Sequence, residues 1–160
     1  MTRIITKKSS KAPILKIKFI SHGTLESKDL QVTRRFYEEV LGLEVIQNTP
    51  MSMLVRRGGH HTYAVVQTGR DEDMPLLNHN GLDVDSEDSV REAHQLLQSV
   101  QTEYGIRKIM APHELHGVYS FYFQDLDGNW WEILANPPGG YSQMFDKPEL
   151  DLTDHSDCDR

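Results

Sequence analysis

One order of elements occurs twice along this chain, and it limits the folds the chain can adopt. Residues 14–26 alternate apolar and polar as a strand does. Residues 27–44 then carry a helical stripe of Leu30, Phe36, Tyr37, Val40 and Leu41, ended by Gly42. Three strand-like runs follow at 43–49, 52–57 and 62–68, broken at Asn48-Thr49-Pro50 and Gly58-Gly59. From residue 79 the order repeats: a strand at 79–84, a helix at 86–105 opened by Ser86 with acidic residues in its first turn, and strands at 106–112, 118–125 and 130–136. The two halves also align weakly at His22 and Leu25 against His79 and Leu82. The expected fold is therefore α+β, built from two small βαβββ modules.

At 160 residues the chain is long enough for one domain with a real core and too short for two ordinary ones. The expected division is a flexible segment at 1–14, a duplicated domain at 15–137 with modules 15–70 and 77–137, and an acidic tail at 138–160. The net charge of −7 comes without any basic run dense enough to follow a phosphate backbone, so nucleic acid and anionic membranes are not expected partners. A small-molecule substrate is expected instead. The single cysteine, Cys158, lies in the polar tail and excludes an intrachain disulfide. Residues 1–13 contain no apolar stretch of the length that export or insertion requires, which makes a cytoplasmic location the expectation.

Three positions carry the chemistry. His22 and Leu25 are three residues apart, as are His79 and Leu82, so in a strand each histidine points away from its leucine. If the leucines pack beneath the helices, both imidazoles face the concave side of the sheet. Glu132 lies within the apolar run Trp130, Trp131, Ile133, Leu134, where an unpaired carboxylate costs several kcal/mol and needs solvent, an arginine such as Arg56, or a cation. A lone histidine of this kind reads first as a hydrogen-bonded structural residue. Two repeat-equivalent imidazoles with one carboxylate read as a facial triad for a divalent metal, with coordination positions left open.

These stretches resemble the vicinal oxygen chelate superfamily of glyoxalases, bleomycin- and fosfomycin-resistance proteins, epimerases and extradiol ring-cleavage dioxygenases. Residues 22–45 resemble its opening strand and helix, and 121–133 its closing hairpin. The resemblance implies two βαβββ modules forming a half-open mixed β-barrel, with a metal in the cup held by His22, His79 and Glu132. Glyoxalases and epimerases of the superfamily commonly add a fourth ligand from the last strand of the first module. This chain has no carboxylate between Glu44 and Asp71, and only His60, His61 or Gln67 could serve there.

The stretch from His113 to Glu132 resembles the extradiol dioxygenase signature at His113, Phe121, Tyr122, Asp125, Gly128 and Glu132. It departs at Leu126, where proline is usual, and at Ala111. The resemblance implies an Fe(II)-dependent dioxygenase that cleaves a catechol-like diol with O2. Tyr122 and either His113 or His116 would handle protons and charge, and Trp130 would join the substrate pocket. Tyr122 reads equally as a packing residue, and alternation puts Trp130 but not Trp131 on the Glu132 face. Two alternatives remain: a lyase, epimerase or thiol transferase using Mn(II), Ni(II), Co(II) or Zn(II), and a non-catalytic resistance protein that sequesters a drug. A homodimer or higher homo-oligomer is expected, and the tail residues Tyr141 and Phe145 are candidates to cover the cup or a partner subunit.

The hairpin carries a geometric condition. A three-residue loop, Leu126-Asp127-Gly128, pairs Tyr122 with Glu132 and sends both to one face, whereas a two-residue loop sends them to opposite faces.

Overall fold

The computed structural model describes residues 6–115, 117–147, 149 and 151–153, so His116 and Cys158 lie outside the described residues. The first module runs β1 (His22–Ser27), α1 (Leu30–Glu39), β2 (Glu44–Thr49), β3 (Ser52–Arg56) and β4 (Thr62–Gln67). The second runs β5 (Asn80–Asp83), α2 (Glu87–Tyr104), β6 (Lys108–Ile109), β7 (His113–Leu115), β8 (Val118–Gln124) and β9 (Trp130–Ala135). The sheets follow the same plan, β1-β4-β3-β2 and β5-β9-β8-β6, with the extra strand β7 also pairing β8. In each sheet the first strand lies parallel to the last strand of its module, and the other pairings are antiparallel. The βαβββ duplication expected from the sequence is the observed architecture.

Helix α1 forms where the sequence offers a cap and a stripe. The Asp29 carboxylate accepts from the Gln31 and Val32 amides, Gly42 adopts positive φ just past the end, and Leu30, Thr33, Phe36 and Tyr37 are buried. Helix α2 is capped by the Ser86 hydroxyl, which accepts from the Ser89 amide, and ends at Gly105 in the left-handed region. Tyr37 packs edge-on against Trp131 at 5.7 Å, Phe36 meets Phe123 at 6.5 Å, and Tyr63 meets Trp131 at 6.3 Å. These contacts join the two modules in one core, and burying each such ring contributes about 2–3 kcal/mol.

Contacts divide the chain into two compact units, Phe19–Asn136 and the pair of terminal segments Met1–Lys18 with Pro137–Arg160. The second unit contains a 3-10 turn at Gly140–Asp146, on which Tyr141, Met144 and Phe145 are exposed. The strand expected from residue 14 is corrected: pairing begins at His22, and Ile14, Ile17 and Ile20 are exposed. Alternation alone therefore marked residues that have no neighbouring strand among the described residues.

Candidate functional site

The site is built on the β8–β9 hairpin. The Asp125 amide donates to the Asn129 carbonyl at 2.9 Å and the Gly128 amide to the Asp125 carbonyl at 3.2 Å, closing the loop Leu126-Asp127-Gly128 with Gly128 at φ 91°. A side chain at position 128 would place its Cβ 2.5 Å from the Glu72 carbonyl oxygen, so the turn needs glycine for space as well as for φ. The odd loop pairs Tyr122 with Glu132 and Gln124 with Trp130. Phe121, Phe123, Trp131 and Ile133 consequently enter the core, and Tyr122, Trp130 and Glu132 share the other face.

His79 reaches that face from a 3-10 turn, Leu76–Asn78, and precedes β5 rather than lying within it as the sequence pattern predicts. Its Nδ1 is 2.8 Å from the Leu76 carbonyl oxygen, which can only accept. The bond assigns the proton to Nδ1 and, in the neutral ring, leaves the lone pair on Nε2. Nε2 lies 3.5 Å from the Glu132 carboxylate, which is only 8% exposed. The His79 ring also stands edge-on to Tyr122 at 4.9 Å, and the His113 ring lies tilted 5.8 Å from Tyr122. His113 lies on β7 opposite Ser120, a correction to the loop expected there. Trp130 donates from Nε1 to the Met74 carbonyl at 2.8 Å and is almost fully buried, so it forms a wall of the site.

The structure thus brings together His79, Glu132, Tyr122, His113 and Trp130. His22 stands apart: it is exposed at the start of β1, with Nδ1 2.6 Å from the Ser21 hydroxyl. Among the described residues, no three His, Cys, Asp or Glu side chains are grouped so that they could hold a metal ion. Arg56 is paired with Glu44 at 2.8 Å and is not the partner of Glu132.

Two candidate donors to a cation do stand together, His79 Nε2 and the Glu132 carboxylate. A carbonyl-oriented imidazole presents its free nitrogen to a largely buried carboxylate, which is the arrangement that supporting hydrogen bonds give metal ligands. No fourth ligand is supplied by the first module. The β4 side chains on the His22 side of the sheet are Thr62, Ala64 and Val66, and the Gln67 side chain accepts from the Leu30 amide. His60 and His61 are exposed, His61 against the Tyr63 ring at 5.0 Å.

Two supports of the site were not read from the sequence. The first is a buried acidic cluster in the loop. The Asp125 carboxylate accepts from Trp131 Nε1 at 2.9 Å, from the Asp127 and Asn129 amides at 2.9 and 3.0 Å, and from the Tyr37 hydroxyl at 3.3 Å. Asp127 accepts from the Lys28 amide at 2.8 Å and the Thr33 hydroxyl at 2.5 Å, and the Asn129 side chain donates to the Glu26 carbonyl at 3.1 Å. The loop beneath Glu132 is thereby tied to the β1–α1 corner of the first module. Burial pushes the Asp125 carboxyl up to about 6, against the opposing Trp131 bond, and raises Asp127 for the same reason. The second support is the linker before His79. The spacing Asp125-x-Asp127-Gly-Asn129 marked the hairpin turn, and the linker read as a charged run around Asp71 and Asp73, but nothing in either revealed which side chains would reach across the chain.

A family model described as the Glyoxalase/Bleomycin resistance protein/Dioxygenase superfamily matches residues 19–133. No curated protein sequence matches the chain. Among solved structures, the genomically encoded fosfomycin resistance protein FosX from Listeria monocytogenes superposes with a TM-score of 0.63 at 21% identity, covering 77% of this chain and 97% of its own. A possible glyoxalase from Bacillus cereus gives 0.60 at 23% identity, covering 74% and 100%. A lactoylglutathione lyase from Agrobacterium tumefaciens gives 0.57 at 20% identity, covering 75% and 95%. At these identities the likeness is one of fold.

Proposed function

Because the chain belongs to the glyoxalase/bleomycin resistance protein/dioxygenase superfamily, we propose that it is a divalent-metal enzyme of the extradiol dioxygenase type, using Fe(II) to open a catechol-like diol with O2. The observation that carries this reading is the pairing of Tyr122 with Glu132, with the His79 and His113 rings both in contact with the phenol ring. Such a face offers two metal donors, a hydroxyl and a second imidazole to one small molecule. The absence of a ligand-bearing side chain on the His22 side of β4 also favours a three-ligand site with room for a chelating substrate and a gas.

The third ligand is His22, supplied by a second copy of the chain. β1 and β5 are the edge strands of their sheets, so a homodimer can bring the His22 edge of one subunit to the His79–Glu132 face of the other. Bound there, a divalent ion would act as a Lewis acid on two adjacent substrate oxygens and, as Fe(II), would mediate electron transfer from diol to O2. His113 takes a proton from a substrate hydroxyl, Tyr122 donates a hydrogen bond to the resulting oxyanion, and Trp130 closes the wall behind them.

The test is anaerobic loading with Fe(II), confirmation that iron is bound, addition of a panel of catechols, and admission of air. The expected result is a ring-fission chromophore with one O2 consumed per diol. No chromophore from an iron-loaded protein would overturn the dioxygenase reading. Stoichiometric nickel, zinc, cobalt or manganese in protein purified without chelator would point to a lyase, epimerase or thiol transferase instead.

A further inference from the structure

The linker between the modules is stitched to the hairpin loop immediately before it delivers His79. The Arg107 guanidinium, only 22% exposed as a side chain, donates to Asp73 at 2.6 Å and to Asp71, and on its other edge donates twice to the Leu126 carbonyl, at 2.9 and 3.2 Å. The Met74 amide donates to the Gly128 carbonyl at 3.1 Å, and the Met74 carbonyl accepts from Trp130. Two residues later the Leu76 carbonyl takes the Nδ1 proton of His79. The 3-10 turn between them, closed by the Asn78 amide on the Pro75 carbonyl at 2.9 Å, leaves little slack.

We infer that Arg107 is a positioning residue for His79: by clamping Asp71 and Asp73 to the Leu126 carbonyl, it holds the linker where Leu76 can fix the imidazole tautomer. The planar fork of arginine suits this role because one group spans two carboxylates and a carbonyl at once. The clamp also ties His79 to the loop that sets Glu132. Both donors of the candidate metal pair therefore refer to the same rigid element, Leu126-Asp127-Gly128. This inference rests on the reading of His79 as a metal ligand.

The test has two independent readouts. The first is the affinity of the purified full-length protein for Co(II), followed by visible absorption. The second is the His79 ring state, read from the 15N shifts of histidine-labelled protein without metal. In the wild type the ring should be protonated at Nδ1. Arg107→Ala should weaken Co(II) binding about tenfold, the low end of what loss of an outer partner costs a metal site, and should shift His79 toward a mixture of tautomers. Arg107→Lys should be intermediate, since one ammonium cannot span both carboxylates. A combined Asp71→Asn, Asp73→Asn variant should reproduce the alanine effect with Arg107 still on Leu126, which covers the case in which Arg107→Ala does not fold. A wild-type ring protonated at Nε2, or an unchanged tautomer and Co(II) affinity within twofold in the variants, would overturn the inference. Wild-type protein that fails to bind Co(II) would remove the metal reading, and the tautomer measurement would still decide the role of Arg107.

Discussion

Glu132→Gln is expected to reduce divalent-ion affinity at least about 100-fold while leaving the metal-free protein no less stable than wild type. The substitution keeps the shape and removes the anionic donor that lies 3.5 Å from His79 Nε2. A first ligand costs more than the 10- to 100-fold typical of an outer partner. Stability follows the opposite direction because the carboxylate is 8% exposed within an apolar strand, where desolvation outweighs one imidazole contact. Isothermal titration with Co(II) and thermal melting of the chelator-treated protein check the two halves. A variant that retains wild-type affinity would show that Glu132 is a structural carboxylate.

Asp125→Ala is expected to be the most destabilising substitution in the site, by about 4 kcal/mol or more, lowering Tm by roughly 10–15 °C. It strands the Trp131 indole N–H, the Tyr37 hydroxyl and the Asp127 and Asn129 amides in the core at once. Asp125→Asn keeps an acceptor for the two turn amides and should cost about half as much.

The same carboxyl gives a pH signature. Its folded value is pushed up to about 6, above its ordinary 3.8, chiefly by burial. The folded state therefore holds a proton between about pH 4 and 6 that the unfolded chain has released. Stability from this group falls as pH rises through that window, on the order of 3 kcal/mol in all, and is flat above it. Asp127, also raised by burial, acts with the same sign. Glu39, lowered by the Tyr104 hydroxyl bond, and Asp71, lowered by Lys28, act with the opposite sign and at lower pH. Tyr37 is pushed well above its ordinary range and stays protonated throughout. Urea midpoints from pH 4 to 7 for wild type and Asp125→Asn isolate this pH dependence, because the asparagine variant should lack it.

The sequence was most legible where local chemistry and packing agree. Ser86 and Gly42 bound helices as the sequence marked, and the hairpin was legible as a choice between two registers, of which the odd loop, pairing Tyr122 with Glu132, is the one adopted. Alternation was legible as to face and silent as to neighbour. It put Leu25 in the core, yet it was silent on which side chains His22 would meet and on the lack, among the described residues, of a strand paired with Ile14 to Ile20. The clasp at Asp125, Asp127 and Asn129 and the Arg107 clamp were hidden because the first joins the two modules across about a hundred positions and the second joins the second module to the linker, through side chains that read locally as a polar turn and a charged linker. Such contacts follow from the packing of Tyr37 on Trp131 rather than from any pattern along the chain.

The central claim is that His79 and Glu132 are two of the three protein ligands of a metal site whose third ligand comes from a second copy. An anomalous-difference map of crystals grown with Co(II), collected at the cobalt edge, tests it most directly. The account predicts a single strong peak per subunit between His79 Nε2 and the Glu132 carboxylate, within coordination distance of His22 of the partner subunit. A peak elsewhere, or one bound by His79 and Glu132 with His22 of both copies facing solvent, would contradict it.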